Sequence, residues 1–351
     1  MSNTNNITLS YNGHWREEIK DIFMENGLIV IEDVIGDKEC DRYMDEIVGS
    51  IEKLGTGVDR NDIKTWKQEL LPPMTRPGLF QTLIGNSKPA WELRVNERIK
   101  GIFEKLYCEL KRIKEIELLV SQDGINIHPN GWGKYHKDDI KSDWAHLDIT
   151  QKDGIYKCLQ GQIVLSNTTA GFRASPKSHK CLNKILEMKE KQIKNKKDNW
   201  LKFLQAEEEI DILKRMIEEQ GGEWQVPILA KKGSLIIWTS ALIHSAKNPD
   251  RCESKKYDDP WFGWRGVVYI SYRPKSEFTQ SQIKKKAEYL LENRTMNHWS
   301  LKVFPVNPIG RYVGSSKFHP IISKCIQNPR TVYDLWNITD PYYFESMKDL
   351  V

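Results

Sequence analysis

The sequence predicts a mainly β fold with flanking helices, built on a double-stranded β-helix (the cupin-like jelly roll). Three observations carry this. Short strand-like runs lie on both sides of one charged helical insert. Helix-patterned segments precede nearly all of them. Residues able to share one metal ion fall on two separate strands. A dinucleotide-binding fold is excluded, because no strand candidate is followed by Gly-x-Gly-x-x-Gly.

The elements follow in order. Residues 1–14 are polar and predict a loose N-terminus. Gly27-Leu-Ile-Val-Ile31 reads as a short buried strand. Asp37 could cap the next helix, whose apolar positions Met44, Ile47, Val48, Ile51 and Leu54 recur at three and four, with Gly55 as its stop. Trp91 to Leu110 reads as one helix. Ile116–Val120 is a strand candidate, and 123–131 reads as turn-rich. Further strands are expected at 146–149, 159–166, 223–228, 234–238 and 266–272. Residues 182–220 hold nine Lys/Arg and nine Asp/Glu with apolar residues spaced between them, which predicts amphipathic helices inserted in a loop. The domain expectation is therefore one unit over 15–275 with the insert 182–220, and a C-terminal extension over 276–351 packed on it.

Composition narrows the class. The 53 Lys/Arg and 48 Asp/Glu leave a net charge of +5 and are interspersed, so no nucleic-acid-binding stripe is expected. The six cysteines are scattered without a Cys-x-x-Cys pair, which argues against a zinc ribbon and predicts free thiols. The N-terminus lacks signal-peptide order and no apolar run reaches membrane-spanning length. A soluble, cytoplasmic protein with no membrane partner is the expectation; oligomeric state is not readable.

The chemistry centres on His146 and Asp148. In a strand, residues i and i+2 point to one face, so an imidazole and a carboxylate would reach one point. His244, from the later run Ser234-Leu-Ile-Ile-Trp238 and onward, would complete a facial triad. Two His and one carboxylate with open positions is the pattern of non-haem Fe(II) oxygenases. A 2-oxo acid chelating that iron, with O2 beside it, needs a cation for its far carboxylate, and arginine suits this through its planar fork. Arg265, at the start of a predicted strand, is favoured over Arg251 in the polar loop 248–256. Tyr135 and Trp144 are candidate substrate contacts. His128 and His136 read as surface or structural residues, and His14, His298 and His319 carry no motif.

These motifs, taken in order, resemble the phytanoyl-CoA dioxygenase-like family of Fe(II)/2-oxoglutarate oxygenases. They are His146-x-Asp148, Leu159 to Ser166, Gly171 to Lys180, Gly233 to Trp238 with His244, then Arg265; Gly27 to Ile35 looks like the family's opening. The resemblance spans roughly 24–275. It implies His146, Asp148 and His244 as iron ligands, Arg265 as the anchor of the 2-oxoglutarate C5 carboxylate, and Gln160 as a possible co-substrate contact or a buried structural amide. Pro176-Lys-Ser-His179 looks like a turn usually written Pro-Gly-Ser-His, so His179 is a turn residue, and Lys177 stands where glycine would ease a positive φ. The loop after His244 is longer than the resemblance implies, which leaves Arg251 in competition. Because Asp148 keeps its carboxylate, hydroxylation of a small organic substrate is implied rather than halogenation. A metal-binding cupin-like isomerase or lyase, or a non-catalytic interaction protein, remains the alternative.

Overall fold

The computed structural model describes residues 4–11, 13–132, 144–168, 171–194, 199–203, 207–247, 252–254, 258–304 and 318–338. In chain order the strands are β1 (Thr8–Ser10), β2 (Leu28–Glu32), β3 (Leu79–Phe80), β4 (Leu118–Val120), β5 (Ile125–His128), β6 (His146–Leu147), β7 (Leu159–Val164), β8 (Gly171–Ala174), β9 (Leu201–Lys202), β10 (Val226–Pro227), β11 (Leu235–Thr239), β12 (His244–Lys247) and β13 (Arg265–Pro274). The large sheet runs β1-β2-β11-β7-β13-β5-β3, with β4 also pairing β13. The small sheet runs β10-β8-β12-β6-β9. Only β1–β2 is parallel among these pairs.

Strand alternation divides the large sheet into two faces. Leu159 and Ile163 of β7, Leu235 and Ile237 of β11, and Val268 and Ile270 of β13 join the main apolar core. That core is filled from α1 (Glu18–Asn26), α2 (Asp37–Glu52), α3 (Lys88–Arg94) and α4 (Glu97–Lys111) by Phe23, Ile47, Trp91 and Phe103. On the opposite face Val164, Ile236, Trp238 and Val267 meet Phe172, Ala174 and Val226 of the small sheet. The two sheets therefore pack on one another through this inner face, and Gln160, Gln162 and Tyr269 share its side of β7 and β13.

The insert contributes α5 (Leu182–Met188), α6 (Glu190–Ile193), the edge strand β9 and α7 (Glu207–Glu218). Its apolar positions Leu182, Ile185, Leu213 and Ile217 pack with Leu147, Ile243 and Trp299 in a third cluster beneath the small sheet. Downstream lie α8 (Gln280–Leu291), α9 (Pro320–Gln327) and α10 (Thr331–Leu335). They are tied back by the Tyr333 hydroxyl donating to Leu290 O (2.7 Å) and Trp336 Nε1 donating to Ser50 O (2.9 Å).

Three local expectations need correction. The single helix over 91–110 is two, α3 and α4, because the Asn96 side chain accepts from the Arg98 and Ile99 amides and starts a new helix there. The turn-rich stretch 123–131 contains β5, which the register Arg265↔His128 binds to β13. The polar N-terminal segment includes β1, paired with Val30 to Glu32. In each case a tertiary partner or a cap overrides the local pattern. No helix among the described residues is long and apolar enough to cross a membrane.

One buried cation lies away from the site. Lys286 of α8 is fully buried, and its Nζ donates to Val120 O (3.0 Å). Burial, with Arg273 and Arg94 nearby, pushes its pKa down to about 7. Between pH 7 and the ordinary lysine range near pH 10.5 the unfolded chain holds the extra proton, so stability rises with pH across that window. Below about pH 7 both states are protonated and the burial penalty is complete. Lys286→Met is therefore expected to raise the melting temperature relative to the parent at pH 6.5, with the gain fading by pH 10. An equal gain at both pH values would refute the assignment.

Candidate metal centre

His146 and His244 are directly opposite each other in the antiparallel pairing of β6 and β12. Opposed residues in a sheet send their side chains to one face, and the two imidazole centroids are 4.2 Å apart. Asp148 follows β6 directly, at the i, i+2 spacing from His146, its amide donating to Ser240 O at 3.1 Å. Its Oδ2 lies 3.7 Å from His146 Nε2 and 3.5 Å from His244 Nε2. One ligand atom from each of the three lies within 4.8 Å of the others, and all three residues are buried.

The tautomers suit metal binding. His146 Nδ1 lies 3.0 Å from Trp144 O, and His244 Nδ1 lies 2.9 Å from Leu242 O. A carbonyl only accepts, so each Nδ1 carries the proton and each Nε2 lone pair faces the shared point. Burial, with His146 alongside, holds His244 below its ordinary value. Burial opposes ionisation of Asp148, but the His146, His244 and His298 imidazoles outweigh it and keep the carboxyl well below the usual carboxylate range. Two imidazoles and one carboxylate, with room on the open side, are a fitting donor set for a divalent first-row metal.

The surrounding groups orient this set. Gln160 Nε2 donates to Asp148 Oδ2 at 2.8 Å. Gln160, read from the sequence as a co-substrate contact or a buried structural amide, is buried with its Nε2 on that carboxylate, and Gln162, two residues on, lines the adjoining cavities. Trp144, a candidate substrate contact, stacks on His146 (4.7 Å, 14°), its Nε1 donating to Ala246 O at 2.9 Å.

Two cavities adjoin the centre. One of about 340 Å³ is lined by the triad, with Trp144, Trp200, Trp238 and Tyr269 among its walls. The other, of about 810 Å³, is lined by Arg265, Ser166, Arg173 and Lys247 among others. Gln162 and Phe172 belong to both. Arg265 is buried at the start of β13. Burial raises the Tyr269 phenol, and Arg265, four residues earlier on the same strand face, pulls against that shift.

Sequence reasoning missed the C-terminal contribution. Asn297, His298, Trp299, Lys302 and Phe304 line the smaller cavity. His298 Nδ1 hydrogen-bonds the buried Asp123 carboxylate, while its Nε2 lies 3.9 Å from Asp148 Oδ2. Burial opposes protonation of His298, but Asp123 raises its pKa to about 9. Trp299 Nε1 donates to Asp148 O at 2.6 Å. No local pattern marks His298 or Trp299, because their partners are 175 and 151 residues away in the chain.

The remaining candidates separate cleanly. His179 is buried in its turn, its Nε2 2.9 Å from Met24 O, and burial takes its pKa down to about 4. Lys177 adopts φ 69 despite its side chain, so the left-handed turn persists without glycine. His128 packs edge-on to Trp132, and its Nδ1 lies 3.1 Å from Pro129 O. His319 caps α9 through its side chain. Tyr135, His136 and Arg251 lie outside the described residues.

Comparison with known proteins adds sequence and fold relatives. No family model matches the chain. It is 28% identical over 152 residues to "Ava biosynthesis cluster protein O" of Aspergillus versicolor, covering 43% of this chain and 44% of that protein, which is under half its length. It is 23% identical over 336 residues to the "Putative phytanoyl-CoA dioxygenase" of Dictyostelium discoideum, covering 82% of this chain and 84% of that protein. In fold it is similar to the structure of a "Putative Oxidoreductase" from Salmonella typhimurium LT2. There the TM-score is 0.53 at 11% identity, over 88% of this chain and 84% of that one.

Proposed function

We propose, from the premise that the chain is phytanoyl-CoA dioxygenase-like, that it is an Fe(II)- and 2-oxoglutarate-dependent oxygenase hydroxylating a small organic substrate. The observation that carries this reading is the cross-strand pair His146 and His244 with Asp148 between them, each imidazole turned so that Nε2 faces one point. The two packed sheets, the smaller of which bears that pair, support a jelly-roll core.

His146, Asp148 and His244 would hold the iron. Gln160 and Trp299 fix Asp148 from either end of the residue, one at the carboxylate and one at the carbonyl. Iron and 2-oxoglutarate bound there would, with O2 as oxidant, supply oxidative decarboxylation to succinate and CO2, one oxygen atom going to succinate and the other to the substrate. Arg265 would take the far carboxylate of the co-substrate, from a cavity that meets the metal side at Gln162 and Phe172. The aromatic walls exclude water from the reacting face.

Anaerobic addition of Fe(II) and then 2-oxoglutarate should develop a weak visible absorption band from bidentate chelation. Arg265→Ala should weaken 2-oxoglutarate binding by about ten- to a hundredfold, the range expected for losing a charge-assisted pair, while Fe(II) binding persists. A parent protein that binds Fe(II) but shows neither the band nor 2-oxoglutarate binding by calorimetry would favour a cupin-like isomerase or lyase instead.

A further inference from the structure

We propose that His298 is a substrate-binding residue, and that the substrate is an uncharged alcohol on an apolar body, its hydroxyl held by His298 Nε2 beside the metal centre. The proposal rests on the oxygenase reading for what happens to the substrate, but not for where it binds. His298 lines the 340 Å³ cavity, and its side chain is partly exposed. Its Nδ1 is taken by the buried Asp123 carboxylate, whose Oδ1 accepts from the Gly124 amide at 2.7 Å. Its Nε2 makes no hydrogen bond among the described residues. The nearest charged atom to it is Asp148 Oδ2 at 3.9 Å, beyond hydrogen-bond reach. One nitrogen of a fixed ring therefore faces the metal side of the cavity.

The backbone around His298 is tied down. Met296 N donates to Gln122 O (2.7 Å), and Asn297 N donates to Lys302 O (2.8 Å). Tyr269 packs edge-on to the imidazole, with centroids 6.1 Å apart. With the Nδ1 proton directed at Asp123, Nε2 offers a lone pair or, in the charged ring, an N–H. A hydroxyl answers both forms, because it donates and accepts. A substrate carboxylate answers only the charged form. It would also be the third carboxylate around one imidazole, after Asp123 and Asp148. Phe172, Trp238 and Phe304 give the same cavity an apolar wall, which suits a hydrocarbon or ring body.

The test is calorimetry on the full-length protein with Zn(II) added, using two matched sets of probes. One set is 2-phenylethanol, ethylbenzene and phenylacetate; the other is indole-3-ethanol, 3-ethylindole and indole-3-acetate. In each set the alcohol should bind at least about tenfold tighter than the hydrocarbon and the acid, the step expected of one well-made hydrogen bond. His298→Asn keeps a donor for Asp123 but removes the Nε2 end. It should weaken alcohol binding by about tenfold and leave hydrocarbon binding unchanged. His298→Gln returns an amide near the Nε2 position and should recover part of the loss. Melting curves check that both variants remain folded; if neither folds, the ranking of probes on the parent decides alone. An alcohol that binds no tighter than its hydrocarbon or its acid would overturn the proposal. So would a His298→Asn variant that binds the alcohol as the parent does, or that loses alcohol and hydrocarbon equally. The chelate band of the iron complex reports the oxygenase reading separately, so either can fail while the other stands.

Discussion

Asp148→Ala should reduce divalent-metal affinity by more than about a hundredfold, since losing even an outer partner of a ligand typically costs ten- to a hundredfold. The reason is both charge and geometry. Asp148 is the one anionic member of the triad, and its Oδ2 stands between the two Nε2 atoms. His146→Ala and His244→Ala should behave alike, because the cross-strand pairing gives them equivalent places. Gln160→Ala should lie between these variants and the parent, leaving the ligands present but Asp148 less firmly oriented. Mn(II) titration followed by electron paramagnetic resonance measures this ranking. Retention of parental affinity in Asp148→Ala would remove the triad from consideration as a metal centre.

Gly233→Ala should destabilise the fold by roughly 2 to 5 kcal/mol, combining a left-handed backbone penalty with overpacking. Gly233 has φ +86, and an added Cβ would stand 2.2 Å from Ile35 O. The neighbouring backbone cannot yield easily. Gly233 O accepts from the Val34 and Ile35 amides, and Gly233 N donates to Val164 O at 2.8 Å. This one turn therefore joins the end of β2 to β7 and the start of β11. Urea denaturation should show a lower midpoint at unchanged slope. An unchanged midpoint would mean that the turn relaxes freely.

What the sequence made legible was the part governed by short-range spacing. His-x-Asp is a strand-period pattern, and apolar runs such as Leu235 to Trp238 announce buried strands, so the triad and most strands could be read directly. The hidden part depended on long-range partners. Strand β5 looks like a turn until β13 and β3 flank it. Gln160 looks like a pocket residue until Asp148 is placed opposite it. His298 looks unremarkable until Asp123 holds its Nδ1. Each of these is a polar residue whose role is fixed by what the fold brings to it, and a linear pattern carries no record of that partner.

The pairing of His146 with His244 also bears on chain entropy. The two residues are separated by 244 − 146 = 98 positions in sequence, and their strands share one ladder pair. If an ion had to gather these residues from a disordered chain, closing a loop of that length would consume about 4 to 5 kcal/mol of its binding free energy. Here the flanking strands have already closed it: β12 is held by β8 over four registered pairs, and β6 is held by β9. The ion would arrive at ends that are already met. Loading and removal of metal should therefore leave the far-ultraviolet circular dichroism unchanged, with the metal shifting the unfolding temperature by mass action alone.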